Sequence, residues 1–322
     1  MSEPLHVAIL GAGGIGCYYG VRLMSKGHQI TLVARGSHLD AMKYQGLKLT
    51  HPEIDFHGPV EACSMDQLID HYKPSHFDIL LVCAKATATQ VLSEQLESWF
   101  STTGESTMIV SLQNGIDNEI QLAERVGAEH VIGGLAVRIG AHIVTPGHIE
   151  ATGPAQVIWG IWHDTDAIAD LGQTDSLLAW TKLFNDAHIP TKLVPDIKKE
   201  LWLKLVINNG VNPLSALTGL DTKELSHHPD LGPIVWGMMC EAAQAAVTDD
   251  VKLNNDDVKQ MFTLIKEFDA IKTSMLVDFE MGRPLELDSI SGVVIERCAD
   301  LGLEAPYTRC IEALLRYRLI VR

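Results

Sequence analysis

Three groups of residues have the types and spacing to do chemistry. The first is Gly11-Ala12-Gly13-Gly14-Ile15-Gly16, with Arg35 beyond it. A G-x-G-x-x-G turn between a strand and a helix binds the pyrophosphate of a dinucleotide. The flanks meet that condition. An apolar run at 6–10 predicts a strand, and an apolar helix follows to about Lys26, where Gly27 stops it. Residues 29–34 predict a second strand. In this βαβ setting Gly11 permits the tight turn, Gly13 lets backbone approach the ligand, and Gly16 allows close helix–strand packing. NAD-preferring sites carry an acid at the end of the second strand, about 20 residues on, to hold the ribose 2′-hydroxyl. Here Arg35-Gly36-Ser37 occupies that place, and no acid appears until Asp40. A guanidinium pairs with a 2′-phosphate that a carboxylate would repel, so the cofactor reads as NADP.

The second group is Lys85 and Asn114. Residues 78–84 and 107–112 are continuous apolar strands, as a parallel sheet covered on both faces requires. Lys85 ends one, and Gln113-Asn114-Gly115 ends the other. Helical stretches follow each, at about 87–99 and 117–126, and 130–137 gives a further strand. Ligands in open α/β sheets lie beyond the carboxyl ends of strands, where the glycine turn, Arg35, Lys85 and Asn114 all fall. The third group is Lys204, Asn208 and Asn212, spaced i, i+4, i+8 and so along one helix face. Asparagine is a poor helix-interior residue and needs partners when buried, so this stripe is either solvated or functional.

The elements that position these groups change character along the chain. Punctuation by Gly and Pro over 142–162 predicts antiparallel strands extending the sheet, followed by a helix near 175–187 and a run at 191–194. Beyond 196 the strand signals nearly vanish, and helices are predicted at about 197–217, 230–249, 255–279, 286–302 and 306–320. The fold class is therefore α/β. A Rossmann-type dinucleotide-binding domain at 1–196 is followed by an all-helical substrate or catalytic domain at 197–322, with no internal repeat.

Composition limits the function classes. At 322 residues and 46% apolar content, the chain can bury two cores. A net charge of −16 argues against nucleic acid, whose phosphates need clustered cations, but not against a cofactor phosphate held locally. No apolar run reaches the roughly 20 residues that span a bilayer, and the first residues lack a secretory signal. Six scattered cysteines with no Cys-x-x-Cys pair suit a reduced cytoplasm. His227-His228-Pro229 reads as a turn, and no metal site is expected. The apolar helix faces can be buried within one chain or across a homodimer.

Beyond these readings, the chain resembles the ketopantoate reductases. The resemblance is carried by Gly11–Gly16, Arg35, Gln113-Asn114-Gly115, Trp202-x-Lys204-x-x-x-Asn208-x-x-x-Asn212-Pro213-Leu214, Ser274-Met275-Leu276 with Asp278, and Glu286-x-Asp288-x-Ile290-x-Gly292. It spans almost the whole chain in order and spacing. It implies a Rossmann domain, a helical domain, an active site in the cleft between them, and NADPH-dependent reduction of 2-dehydropantoate to pantoate in pantothenate synthesis. It further implies that Lys204 is the catalytic lysine and Glu286 the active-site glutamate, which also neighbours the cofactor. Asn208, Asn212 and Ser274 then contact substrate, while Lys85 and Asn114 stand on the cofactor and substrate sides. Two positions depart: Ile271 and Thr222 stand where some members carry substrate-contacting asparagines.

Hydride addition to a ketone leaves negative charge on oxygen, so a donor must stand there. Lys204 is expected to be that donor and general acid, oriented by Glu286 and Asn208. An ammonium drawn into a partly desolvated cleft can release its proton near neutral pH. Ser274, with Asn212, is expected to hold the substrate carboxylate. The competing readings are reduction of another short branched 2-keto acid and a non-catalytic NADP-sensing protein.

Overall fold

The computed structural model describes residues 4–162, 170–267 and 270–321. The chain divides into two compact units, Met1–Gln113 with Asp117–Ile197, and Asn114–Ile116 with Lys198–Arg322.

The first unit opens with β1 (His6–Leu10), α1 (Gly14–Met24), β2 (Gln29–Val33) and α2 (Gly36–Gln45). Next come β3 (Leu47–His51), β4 (Ile54–Gly58), β5 (Glu61–Cys63), α3 (Met65–His71), β6 (Ile79–Val82) and α4 (Thr89–Thr103). Then follow β7 (Met108–Ser111), α5 (Asn118–Val126), β8 (Val131–Val137), β9 (Gly140–Thr145), β10 (His148–Thr152), β11 (Gln156–Ile161), α6 (Asp170–Asp186) and β12 (Thr191–Leu193).

Eight strands form the main sheet in the order β12-β11-β8-β7-β6-β1-β2-β5. The neighbours from β5 to β8 are parallel, and β11 runs antiparallel to β8. Chain order reverses between β1 and β6, the switch point at which such sheets take ligands. Alternation along β1 explains why the run is apolar throughout. Val7 and Ile9 pack into one layer with Trp159 and Phe184, while Ala8 and Leu10 pack into the other with Leu80, Val82 and Trp99.

The expectation that all of 142–162 extends this sheet is corrected. Only β11 does so. Strands β9 and β10 belong to a separate four-stranded sheet, ordered β4-β3-β10-β9. There β10 pairs in parallel with β3, His148 opposite Lys48. Strand β3 buries Leu47, Leu49 and His51 and exposes Lys48 and Thr50, the alternation of a strand covered on one face. Sequence reading passed over the whole stretch from α2 to α3.

Two buried histidines tie this unit together. The amide of Leu5 donates to His28 Nδ1 at 3.1 Å, and the amide of Gly147, in the β9–β10 turn, donates to His38 Nδ1 at 3.0 Å. Burial lowers the pKa of both below the ordinary histidine value. The unfolded chain therefore takes up these protons first as pH falls. Stability should be constant above about pH 6.5, the ordinary histidine pKa, and decline as pH drops below it. Urea midpoints at pH 7.5 and 5.5 check this: the drop should be smaller in His38→Asn, and a pH-independent midpoint in the unmodified chain would overturn it.

The second unit is helical throughout its described residues: α7 (Ile197–Thr218), α8 (Thr222–His227), α9 (Leu231–Ala245), α10 (Asn255–Glu267), α11 (Ser274–Glu280), α12 (Val293–Asp300) and α13 (Pro306–Ile320). The expected single helix at 255–279 is corrected to α10 and α11; residues 268–269 lie outside the described residues. Thr273 starts α11 afresh, its hydroxyl accepting from the amide of Leu276 at 3.1 Å. His228 closes the turn between α8 and α9 by accepting from the amide of Asp230 at 3.2 Å.

Candidate functional site

The glycine turn is built as a dinucleotide cradle. Gly11 has φ +97°, and a Cβ there would lie 2.5 Å from the backbone nitrogen of Ala84, so only glycine fits. A Cβ on Gly16 would come within 2.7 Å of the Gly11 carbonyl oxygen and 2.8 Å of Ile9 Cγ2. That distance lets α1 start directly against β1. Gly13 is different: nothing lies within 4 Å of where its Cβ would be. The protein does not need glycine there for its own packing, which fits a position kept open for an approaching pyrophosphate. The amides of Gly11 and Ala12 both donate to the carbonyl of Val33, at 3.1 and 2.8 Å. Those bonds hold the end of β2 beside the turn. Arg35, exposed and extended at φ −145°, follows two residues later at the cap of α2. Buried His38 stands behind the turn, one ring nitrogen 3.7 Å from Cys17 Sγ, and Cys17 donates to the Ala12 carbonyl at 3.2 Å. A histidine three residues past the arginine is the signal that sequence reading passed over.

The loops after β6 and β7 are coupled through buried side chains. Gln113 Nε2 donates to Thr89 Oγ1 at 2.8 Å, and Thr89 Oγ1 donates to Asn118 Oδ1 at 2.8 Å. All three residues are buried. They join the first residues of α4 and α5 to the residue before Asn114. Exposed Lys85 leads into α4, and half-buried Asn114 leads toward α5. The sequence presents Gln113 only as part of a strand-end motif; the structure adds its bond to Thr89.

In the second unit, α7 carries Lys204, Asn208 and Asn212 on one face. Lys204 and Asn208 are half-buried and Asn212 is buried. What sets the rotation of α7 is a neighbour that sequence reading missed. Asn209 is fully buried, and its amide donates to the carbonyl of Met238 at 3.0 Å and to Thr308 Oγ1 at 2.9 Å. Buried Trp202 adds a bond from Nε1 to Asp249 Oδ2 at 3.0 Å. With α9 and α13 gripping that side, the Lys204 stripe faces elsewhere. Pro213 lies inside the helix and lacks the amide that would cap the carbonyl of Asn209.

Glu286 is half-buried, just ahead of a π-helical turn at Asp288–Gly292, a local irregularity enriched at functional sites. The carboxamide of Asn114, whose segment packs with this unit, donates to Glu286 Oε2 at 3.4 Å. Two of the expected site residues, 172 positions apart, are therefore brought together. Ser274 is exposed at the first position of α11; the capping role belongs to Thr273. Of the two departing positions, the amide of Thr222 donates to the carbonyl of Ile271 at 3.2 Å, so they are neighbours.

Profiles of the family described as Ketopantoate reductase PanE/ApbA match residues 7–164, and those of its C-terminal part match 196–318. The chain belongs to the ketopantoate reductase family. The first match spans the glycine turn, Arg35, Lys85 and Asn114; the second spans Lys204, Asn208, Asn212, Ser274 and Glu286. The 2-dehydropantoate 2-reductase of Pyrococcus abyssi is 27% identical over 312 residues, covering 97% of each chain. The crystal structure of 2-dehydropantoate 2-reductase from Geobacter metallireducens GS-15 superposes with a TM-score of 0.82 at 28% identity, covering 98% of this chain and 100% of that one. The fold is also that of D-mandelate dehydrogenase, solved with NADH and anilino(oxo)acetate, at a TM-score of 0.87, 19% identity, and 98% and 99% coverage.

Proposed function

We propose that this protein reduces 2-dehydropantoate to pantoate with NADPH, in the cytoplasm and as a homodimer. The observation that carries the reading is the α7 face of Lys204, Asn208 and Asn212, held in place by buried Asn209, in a chain of the ketopantoate reductase family. NADPH is assigned to residues 1–196, with Gly11, Ala12, Gly13, Gly14, Ile15 and Gly16 cradling the pyrophosphate. Arg35 pairs with the 2′-phosphate, and Lys85 and Asn114 stand on the nicotinamide side. When bound, the cofactor supplies the hydride. Residues 197–322 supply the rest of the chemistry. Lys204 Nζ donates a hydrogen bond and then its proton to the oxygen on which charge develops. Glu286 accepts from Asn114 and, with Asn208, orients the ammonium. Ser274 and Asn212 hold the substrate carboxylate.

A second reading, another short branched 2-keto acid, is favoured by the neighbouring departures Thr222 and Ile271. Ile271 offers no polar group, and the buried Thr222 hydroxyl has no hydrogen bond among the described residues. Steady-state kcat/KM at saturating NADPH separates the two. If Glu286 serves the terminal hydroxyl of ketopantoate, an analogue lacking it strands a buried polar group and should react about tenfold or more slowly. A ratio near one overturns the ketopantoate assignment in favour of the second reading.

A further inference from the structure

Three exposed residues, Arg35, Gly36 and Ser37, carry the step from β2 into α2. Among the described residues no side chain of this step makes a hydrogen bond. Nothing lies within 4 Å of where a Cβ on Gly36 would be. The place of the Arg35 guanidinium is therefore set by the residues that anchor the step at its two ends. At the near end the amide of Ala34 donates to the carbonyl of Cys63 at 3.0 Å. At the far end stands His38, 8% exposed, with its ring held from both sides. Its Nδ1 accepts from the amide of Gly147 at 3.0 Å, which leaves the ring proton on Nε2. On that other side the ring bonds the backbone of Ala12 in the glycine turn, and Nε2 lies 3.7 Å from Cys17 Sγ. The second sheet backs this arrangement. A Cβ on Gly14 would lie 2.4 Å from the carbonyl carbon of Ala141, so β9 presses on the first residue of α1. A Cβ on Gly147 would lie 3.0 Å from that of Ala41, so the β9–β10 turn presses on α2. The carbonyl of Gly147 accepts from the amide of Lys48 at 2.8 Å, which fixes the residue that His38 meets.

We propose that His38 is a positioning residue for cofactor choice: by bridging Ala12 and Gly147 it holds Arg35 at a fixed reach from the glycine turn. The inference rests on Arg35 pairing with the 2′-phosphate and adds what places it. NADPH must satisfy two anionic points at once, its pyrophosphate on the turn and its 2′-phosphate at Arg35. The adenosine ribose between them sets their separation. A guanidinium–phosphate pair is directional, two parallel bonds in one plane, so its strength depends on a preset distance and angle. A loop that had to be ordered on binding would lose affinity to entropy, whereas an anchored one has already been ordered by folding. An imidazole suits this place because it carries an acceptor and a donor on opposite edges of one rigid ring. It spans two backbone groups without a flexible stem. NADH presents only the pyrophosphate, so loosening the start of α2 leaves its binding nearly as it was. The preference for NADPH then belongs to the arginine and the buried histidine together, with the second sheet as their brace.

Direct titration of the full chain with NADPH and with NADH, followed by cofactor fluorescence, tests this in His38→Asn and His38→Gln. The amide oxygen of asparagine stands where Nδ1 does, so that variant keeps the Gly147 bond and gives up Ala12. Glutamine reaches the Ala12 side and gives up Gly147. Each should raise the Kd of NADPH about three- to tenfold, the effect of about one hydrogen bond, and that of NADH by less than about twofold. In an Arg35→Ala background neither should raise the NADPH Kd further, because effects that run through one group are not additive. Either variant suffices, so if one fails to fold the other decides. Equal losses for both cofactors would make His38 a merely structural residue and overturn the inference. So would unchanged binding of both, or losses that add to that of Arg35→Ala. If Arg35→Ala itself weakens NADPH no more than NADH, the 2′-phosphate reading beneath the inference fails, whatever the His38 variants show.

Discussion

Lys204→Ala should lower turnover by about 10²–10⁴-fold while leaving NADPH affinity nearly unchanged, because a general acid acts on the transition state rather than on cofactor binding. The structure makes this a clean test. Lys204 is half-buried on α7, and the helix is held by other residues, Trp202 through Asp249 and Asn209 through Met238 and Thr308. Removing the lysine leaves those bonds intact, so the variant should fold. The measurement is single-turnover NADPH oxidation beside a direct NADPH titration. Near-normal turnover with a lowered melting temperature would make Lys204 a structural residue and remove the proposed proton donor.

Arg35→Ala should weaken NADPH binding by about 1.5–3 kcal/mol, the scale of a charge-assisted hydrogen bond, and leave NADH little changed. That is roughly a 10- to 150-fold rise in Kd for one cofactor only. Arg35 is exposed and extended before α2, while the turn beside it is fixed by backbone bonds to Val33, so the cradle should survive the substitution. Titration with both cofactors checks it. An equal loss for both would mean that Arg35 does not read the 2′-phosphate.

Much of the first unit was legible because its signals are local. Strand, glycine turn, helix and second strand occupy under 30 consecutive residues, and each glycine has a backbone reason that can be named in advance. At Gly11 and Gly16 the reason is a steric clash, and at Gly13 it is open space. The exposed arginine ending β2 was equally local. The second sheet was not legible, because β3 pairs with β10 about 100 residues later and nothing within either strand names its partner. The break between α10 and α11 escaped because an apolar period continues across it, and the new start depends on a single Thr273 cap.

The site divides along the same line. By itself the sequence determined which residue types stand at the strand ends and that Lys204, Asn208 and Asn212 share a helix face, since 3.6 residues per turn leaves no alternative. Which side of α7 turns inward was decided only by the tertiary structure. Asn208, Asn209 and Asn212 are chemically equivalent in the sequence, yet Asn209 alone finds a carbonyl from α9 and a hydroxyl from α13 and becomes an anchor. The meeting of Asn114 with Glu286 was likewise decided in three dimensions. A periodic pattern fixes a face relative to its own helix axis, but the rotation of that axis, and the partner a polar group meets, come from elements distant in the chain that compete to satisfy buried hydrogen bonds.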